Sequence, residues 1–212
     1  MRHPSLVLLF AVCFTPFSFQ LAQTSGSSSS KNKKPEQHIT RQAPPDDAET
    51  SYRNAAFAFS YKIPYGWVER TQQMQDNTSD PQKSKLLLAV FERPPGVTGD
   101  TINSAVVITA ESASSYPGLK TAADYLGPLT ELTTSKGFRA AGDPVEFPVG
   151  STMTVRVDFT KEIGSLTMRQ SSLILLRKGW VLSFTFIAES EDEVEDLIEK
   201  LSFSAKIPAT KP

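Results

Sequence analysis

Histidine and cysteine are nearly missing from this chain, and the positions of the few that occur decide what chemistry is left to it. Two of the 212 residues are His and one is Cys. His3 and Cys13 fall in the N-terminal segment and His38 in the polar stretch after it, so residues 51–208 contain neither type. A Ser-His-Asp triad and a thiol nucleophile are therefore excluded from that region. Zinc, copper and haem sites built on imidazole or thiolate are excluded too, as is any disulfide within it. No G-x-G-x-x-G occurs, and Gly137 to Gly142 lacks the following Lys-Ser/Thr of a phosphate loop. An excess of positive charge is also missing. Lys+Arg number 22 against Asp+Glu 23, a net charge of -1, which argues against the basic face that nucleic acid requires. Beyond the N-terminal segment, no apolar run reaches the roughly 18 residues of a membrane span.

The first 22 residues, MRHPSLVLLFAVCFTPFSFQLA, have a different character. Arg2 precedes an apolar stretch from Leu6 to Phe19, and no acidic residue appears before Glu36. That is the layout of a secretory signal peptide, with Ala22 as the last residue removed, although Gln20 meets the small-x-small rule poorly. Pro16 interrupts a continuous spanning helix. Phe10-Ala11-Val12 before Cys13 is not the small-residue box of lipid attachment. Residues 23–50 read as a flexible Ser/Lys/Pro-rich tether, with Ile39, Ala43 and Ala48 as its only apolar side chains. Such a segment buries too little to offset its conformational entropy. Its basic cluster, Lys31, Lys33 and Lys34, reads as a solvated charge run. The expected organisation is signal peptide 1–22, tether 23–50, one domain 51–208 and a tail 209–212, in a secreted or periplasmic monomer with no membrane span in the mature chain.

Within the domain, Phe57, Phe59, Tyr61 and Ile63 alternate with Ala58, Ser60 and Lys62, the period of a half-buried strand that Pro64 and Gly66 end. The runs LLLAVFE (86–92) and SAVVITA (104–110) are continuous and apolar, as expected of strands covered on both faces. RPPGVTGDTIN between them forbids regular structure. Ala122, Tyr125, Leu126, Leu129 and Leu132 predict a helix over 121–136, with Thr121 and Asp124 as a capping arrangement and Gly137 as its C-terminal cap. Gly127-Pro128 inside that pattern predicts a kink or a split. In TMTVRVDFTK, Met153, Val155, Val157 and Phe159 face one way and Thr154, Arg156, Asp158 and Thr160 the other. A turn at Ile163-Gly164 leads to a long strand, and Lys178-Gly179 makes a tight hairpin to Trp180, Leu182, Phe184 and Phe186. Val194, Leu197, Ile198 and Leu201 form a helical stripe, opened by the Ser190–Glu193 capping box. The acidic first turn and Lys200 suit the helix dipole. Consecutive strands and Gly-bearing hairpins predict an α+β fold, an antiparallel sheet with helices packed on it.

Charged side chains offer few candidate sites. The acids of ESEDEVEDLIE read as a first turn and solvated face, not as a cation site. Asp76-Asn77-Thr78-Ser79-Asp80 begins like a calcium loop, but Pro81 stands where Gly is required. Asn77-Thr78-Ser79 is also a glycosylation sequon. Arg156 and Asp158, with Lys161 beyond, read as a solvent face with cross-strand pairs.

The stretch from Phe57 to Trp67, FAFSYKIPYGW, resembles the opening of PsbP-like domains, an aromatic strand followed by Pro and, after a short turn, Trp. The later order of a mid-chain helix, long hairpin strands and a closing acidic helix before Phe203 is similar as well, over about residues 54–207. The resemblance implies an α/β/α sandwich around an antiparallel sheet, and proteins that act mostly by binding. Its members include an extrinsic protein of photosystem II, whose metal-linked histidines have no counterpart here. The residues and the resemblance together predict a secreted, non-catalytic binding or accessory domain acting on a protein or envelope component, without cofactor or metal. A carrier of small apolar ligands, and a hydrolase independent of His and Cys, are the alternatives. Tyr65 and Trp67 are the candidate partner-binding rim, with Trp67 also read as a core anchor.

Overall fold

The computed structural model describes residues 50–75, 82–97 and 99–204. The expected signal peptide, nearly all of the tether, the Asp76–Asp80 motif with its sequon, and the tail lie outside the described residues. Every described residue belongs to a single unit.

Along the chain run β1 (Ser51–Asn54), β2 (Phe59–Lys62), β3 (Val68–Glu69), α1 (Thr71–Gln75), β4 (Ser84–Phe91) and β5 (Ala105–Ser112). A 3-10 turn at Ala123–Tyr125 leads into α2 (Leu126–Ser135). Then come β6 (Arg139–Ala140), β7 (Val145–Val149), β8 (Thr152–Ile163), β9 (Leu166–Arg177), β10 (Trp180–Ala188), α3 (Glu191–Glu199) and β11 (Leu201–Phe203). The main sheet has the order β3-β4-β5-β10-β9-β8-β6, with β7 also on β8. The order β1-β2-β11 makes a second, smaller sheet, and every pairing is antiparallel. The chain thus has the expected α+β fold.

Two faces of the main sheet are covered differently. On one, Phe57, Phe59, Tyr61 and Ile63 of the β2 region meet Val194, Leu197 and Ile198 of α3 over Leu88, Val106, Ile108, Leu173, Phe184 and Phe186. This is the largest cluster, and burying each such side chain contributes roughly 1.5–3 kcal/mol. On the other face, Tyr125 and Leu129 cover Val157, Phe159, Ile174 and Val181. Met74 of α1 packs on a separate group made of Leu86, Ala89, Phe91 and Ala105.

Local chemistry explains the hairpins. Arg177 pairs with Trp180, leaving Lys178 (φ 52) and Gly179 (φ 76) as a two-residue loop. Positive φ at both positions is what a type I′ turn requires, and its twist matches the strands it joins. Arg177 and Lys178 then donate to the carbonyls of Phe57 (2.8 Å) and Ala56 (2.6 Å), fastening the hairpin tip to the turn before β2. At α3, the Ser190 hydroxyl accepts the Glu193 N–H, and Glu193 accepts the Ser190 N–H, both at 3.2 Å. Ser190→Ala is expected to cost about 1 kcal/mol through this lost cap. Urea unfolding checks it, and an unchanged midpoint would remove the cap from the account.

One expectation is refined and three are corrected. The predicted kink or split falls at Leu126, where the 3-10 turn Ala123–Tyr125 gives way to α2. Pro128 falls in the first turn of α2, where its missing N–H costs nothing. Asp124 caps the preceding turn as an acceptor, taking the N–H groups of Lys120 (2.9 Å) and Thr121 (2.8 Å). The alternation of β8 does not set burial at its start. Met153 is exposed, whereas Thr154 is buried because its hydroxyl donates to the Phe147 carbonyl of β7 at 2.7 Å. Arg156 and Asp158 are not on an open solvent face. Arg156 donates to Asp158 (3.0 Å) and to Glu195 of α3 (2.6 Å), and its side chain is only 15% exposed. Finally, β5 is not covered throughout on both faces, since Val107 and Thr109 are half-buried.

Candidate functional site

The chain leaves β2 through Pro64 and turns back at once. The Trp67 N–H donates to the Pro64 carbonyl at 3.3 Å, and Gly66 has φ 80. A tight turn with positive φ at its third residue has the type II pattern, and Gly is the residue that takes it without strain. That geometry places Tyr65 at the apex, where it is 94% exposed. Trp67, two residues on, is half-buried and packs on the main core. Val68 pairs with Phe91, so the register carries Trp67 to the strand end where Glu92 follows. Beside Glu92 lies an open depression lined also by Thr101, Ile102, Glu189, Ser190 and Glu193. The Ile102 N–H donates to Glu189 (3.2 Å) and the Ser104 N–H to Glu92 (3.4 Å). One end of the sheet therefore carries a projecting tyrosine, a half-sunk tryptophan and an acidic hollow.

A second group of chemically active residues stands on the α2 face. Glu111 is 5% exposed at the end of β5. Its carboxylate accepts hydrogen bonds from the Tyr116 hydroxyl and, at 2.9 Å, from the Tyr125 hydroxyl. The two rings meet edge-on with centroids 5.1 Å apart. Burial pushes the Glu111 carboxyl above the ordinary carboxylate range, against the two hydroxyl donors that pull it down. The same burial, and the carboxylate beside them, push both tyrosines up, so they remain protonated donors. Nothing here resembles a nucleophile with its base. The arrangement ties the turn at 116 and the lead-in to α2 onto the sheet.

The two candidate rim residues, Tyr65 and Trp67, share this turn, whereas Glu111 and Tyr116 were not among the expected site residues. The available signal was a single acid closing an otherwise apolar strand.

Because the native Glu111 holds its proton more tightly than the unfolded chain does, its contribution is complete below the unfolded carboxylate value and is lost as pH rises through the folded one. The stability of the wild type relative to Glu111→Gln is expected to fall as pH is raised from 4 to 8. Thermal melts of both proteins across that range test this, and parallel curves would contradict it.

Among the described residues, no helix is long and apolar enough to cross a membrane, and no group of three or more His, Cys, Asp or Glu is placed to hold a metal ion. No protein-family model and no curated protein matches the chain. Among solved structures, it is similar to the cyanobacterial PsbP (CyanoP) of Synechocystis sp. PCC 6803, at 12% identity over 73% of this chain and 92% of that one, with TM-score 0.47. It is similar to LpqN of Mycobacterium tuberculosis, involved in cell envelope biogenesis, at 12% identity over 75% and 87%, with TM-score 0.42. It is likewise similar to the Ran-binding protein Mog1p of Saccharomyces cerevisiae, at 8% identity over 73% and 95%, with TM-score 0.43. No activity or partner passes from them to this chain.

Proposed function

We propose that this chain is a secreted, non-catalytic binding or accessory domain, carried on a flexible tether and engaging a protein or envelope component through the turn at Tyr65. The observation that carries the reading is the 94% exposed Tyr65, held at a turn apex by the partly sunken Trp67. A large aromatic on a rigid mount is the kind of side chain that dominates interface energetics. Residues 51–208 offer no imidazole or thiol for general acid/base or nucleophilic work. The buried carboxylate, Glu111, is taken up by two tyrosines. The alternative of an apolar-ligand carrier finds no support between sheet and α3. Phe184, Phe186, Val194, Leu197 and Ile198 fill that space, none more than 5% exposed.

Export and inactivity are tested together. Fractionated cells should yield the protein outside the cytoplasm with an N-terminus near Gln23. The purified material should show no turnover in a broad hydrolase screen. Recovery only from the cytosol with Met1 intact would overturn the secreted assignment. Reproducible turnover abolished by Glu111→Gln would overturn the non-catalytic one.

A further inference from the structure

The turn that carries Tyr65 has a twin. In Pro64-Tyr65-Gly66-Trp67 the Trp67 N–H donates to the Pro64 carbonyl at 3.3 Å, and in Pro94-Pro95-Gly96-Val97 the Val97 N–H donates to the Pro94 carbonyl at 3.1 Å. Gly66 (φ 80) and Gly96 (φ 93) hold the same place in the two turns. Pro95 holds the place of Tyr65, the one that proline's fixed φ suits in a type II turn. The turns are neighbours. Val68 of β3 pairs with Phe91 of β4, so the chain before Val68 and the chain after Phe91 leave the sheet side by side. Both tips stand in solvent. Tyr65 is 94% and Val97 48% exposed, and Pro94 and Pro95 are exposed as well. Among the described residues, a side chain added at either glycine would meet nothing within 4 Å.

The second turn is fixed by polar groups at its base. The Arg93 N–H donates to the Asn103 side-chain oxygen at 2.9 Å, and the Asn103 amide donates back to the Arg93 carbonyl at 3.0 Å. The Arg93 guanidinium donates to the Thr101 hydroxyl at 2.8 Å and to the Thr101 carbonyl at 2.9 Å. Gly99 makes room for it, since a Cβ there would lie 3.2 Å from the guanidinium carbon. Fixing a loop costs conformational entropy, which burial usually offsets. This loop is fixed while its apolar tip stays in solvent, the arrangement that suits contact with another molecule at a low ordering cost.

The charge around the two turns decides which molecule. The Glu92 side chain, 43% exposed, stands at the root of the second turn. Asp100 is exposed farther along the same loop, and Glu189 and Glu193 line the depression beside Glu92. The cation of this loop, Arg93, is already engaged by Thr101 and lies 3.6 Å from Glu92. The surface thus offers two apolar tips beside carboxylates. It repels an anionic lipid headgroup or polymer. A protein segment carrying Lys or Arg among apolar side chains matches both features.

We infer that the Tyr65 and Val97 turns form one docking surface, and that its partner is a basic segment of a protein. The inference rests on the binding role proposed for Tyr65 and narrows the partner to a protein. The test is amide chemical-shift mapping of the whole exported protein with the acetylated, amidated peptide GKLKFKG and with its acidic counterpart GELEFEG. Cosedimentation with phosphatidylglycerol vesicles is the lipid arm. GKLKFKG should shift the amides of Gly66, Trp67, Gly96 and Val97 together, GELEFEG should shift none of them, and the vesicles should not retain the protein. Val97→Ser and Glu92→Gln should each weaken binding of GKLKFKG about fivefold at an unchanged melting temperature, because both side chains reach solvent. Shifts at the Tyr65 turn alone, equal binding of GELEFEG, or undiminished binding by both variants would overturn the inference and leave the Tyr65 reading standing. No shift at either turn would overturn it too, while envelope capture by wild type against Tyr65→Ser decides the Tyr65 reading separately. Retention on the vesicles would overturn the choice of a protein partner.

Discussion

Tyr125→Ala is expected to destabilise the domain by about 4 kcal/mol, and Tyr125→Phe by about 2 kcal/mol. The ring is 1% exposed and belongs to the cluster that holds α2 on the sheet. Truncation leaves a cavity among Leu129, Val157, Phe159, Ile174 and Val181, a change that usually costs about 3–5 kcal/mol for an aromatic. The phenylalanine variant keeps the packing and removes only the hydroxyl that donates to Glu111. Its cost is that of a buried carboxylate losing one of two donors, and hydrogen bonds to charged groups contribute about 1.5–3 kcal/mol. Denaturant midpoints separate the two effects. A phenylalanine variant with a wild-type midpoint would mean that Glu111 does not need this donor. An alanine variant no worse than the phenylalanine one would mean that the ring's packing is idle.

Trp67→Ala is expected to cost about 3 kcal/mol, and Tyr65→Ser less than about 0.5 kcal/mol. The two residues stand two apart on one turn, yet one packs on the main core and the other is almost wholly in solvent. Trp67 is half-buried and not sealed, so its cost falls at the low end of the range for aromatic truncation. A domain of this kind is typically stable by about 5–15 kcal/mol, so Trp67→Ala remains folded at room temperature and measurable by urea. Equal midpoints for the two variants would remove Trp67 as the mount for Tyr65.

Much of the fold was legible because its signals are local. The Ser190–Glu193 box, the stripe Val194, Leu197 and Ile198, and the Lys178-Gly179 hairpin each lie within a few residues of sequence, and each forms as read. What escaped depends on distant partners. The run Leu86 to Phe91 hides a bulge between Leu86 and Leu88. The extra residue, Leu87, packs on the α3-side core although Leu86 faces the other way, so an apolar run stands in for alternation. The face of Arg156 was taken for solvent because Glu195, its partner, is 39 residues away on α3. Glu111 and Tyr125 meet across 14 residues and two elements, and no periodicity records that. Tyr125 looked like one more apolar helix position, whereas it ends the 3-10 turn before α2 and its hydroxyl is what matters. The turn was readable as Pro-Tyr-Gly-Trp because turn chemistry is local, and Trp67, read also as a core anchor, packs on the main core while Tyr65 stands in solvent.

The measurement closest to the central claim is capture with Tyr65 as the variable. The exported protein, wild type or Tyr65→Ser, is immobilised and exposed to the native envelope fraction under matched conditions, with melting temperatures recorded for both. The account predicts a component retained by the wild type and reduced at least tenfold with Tyr65→Ser, at unchanged melting temperature. Equal retention by both proteins would contradict it, and would take the binding surface away from this turn.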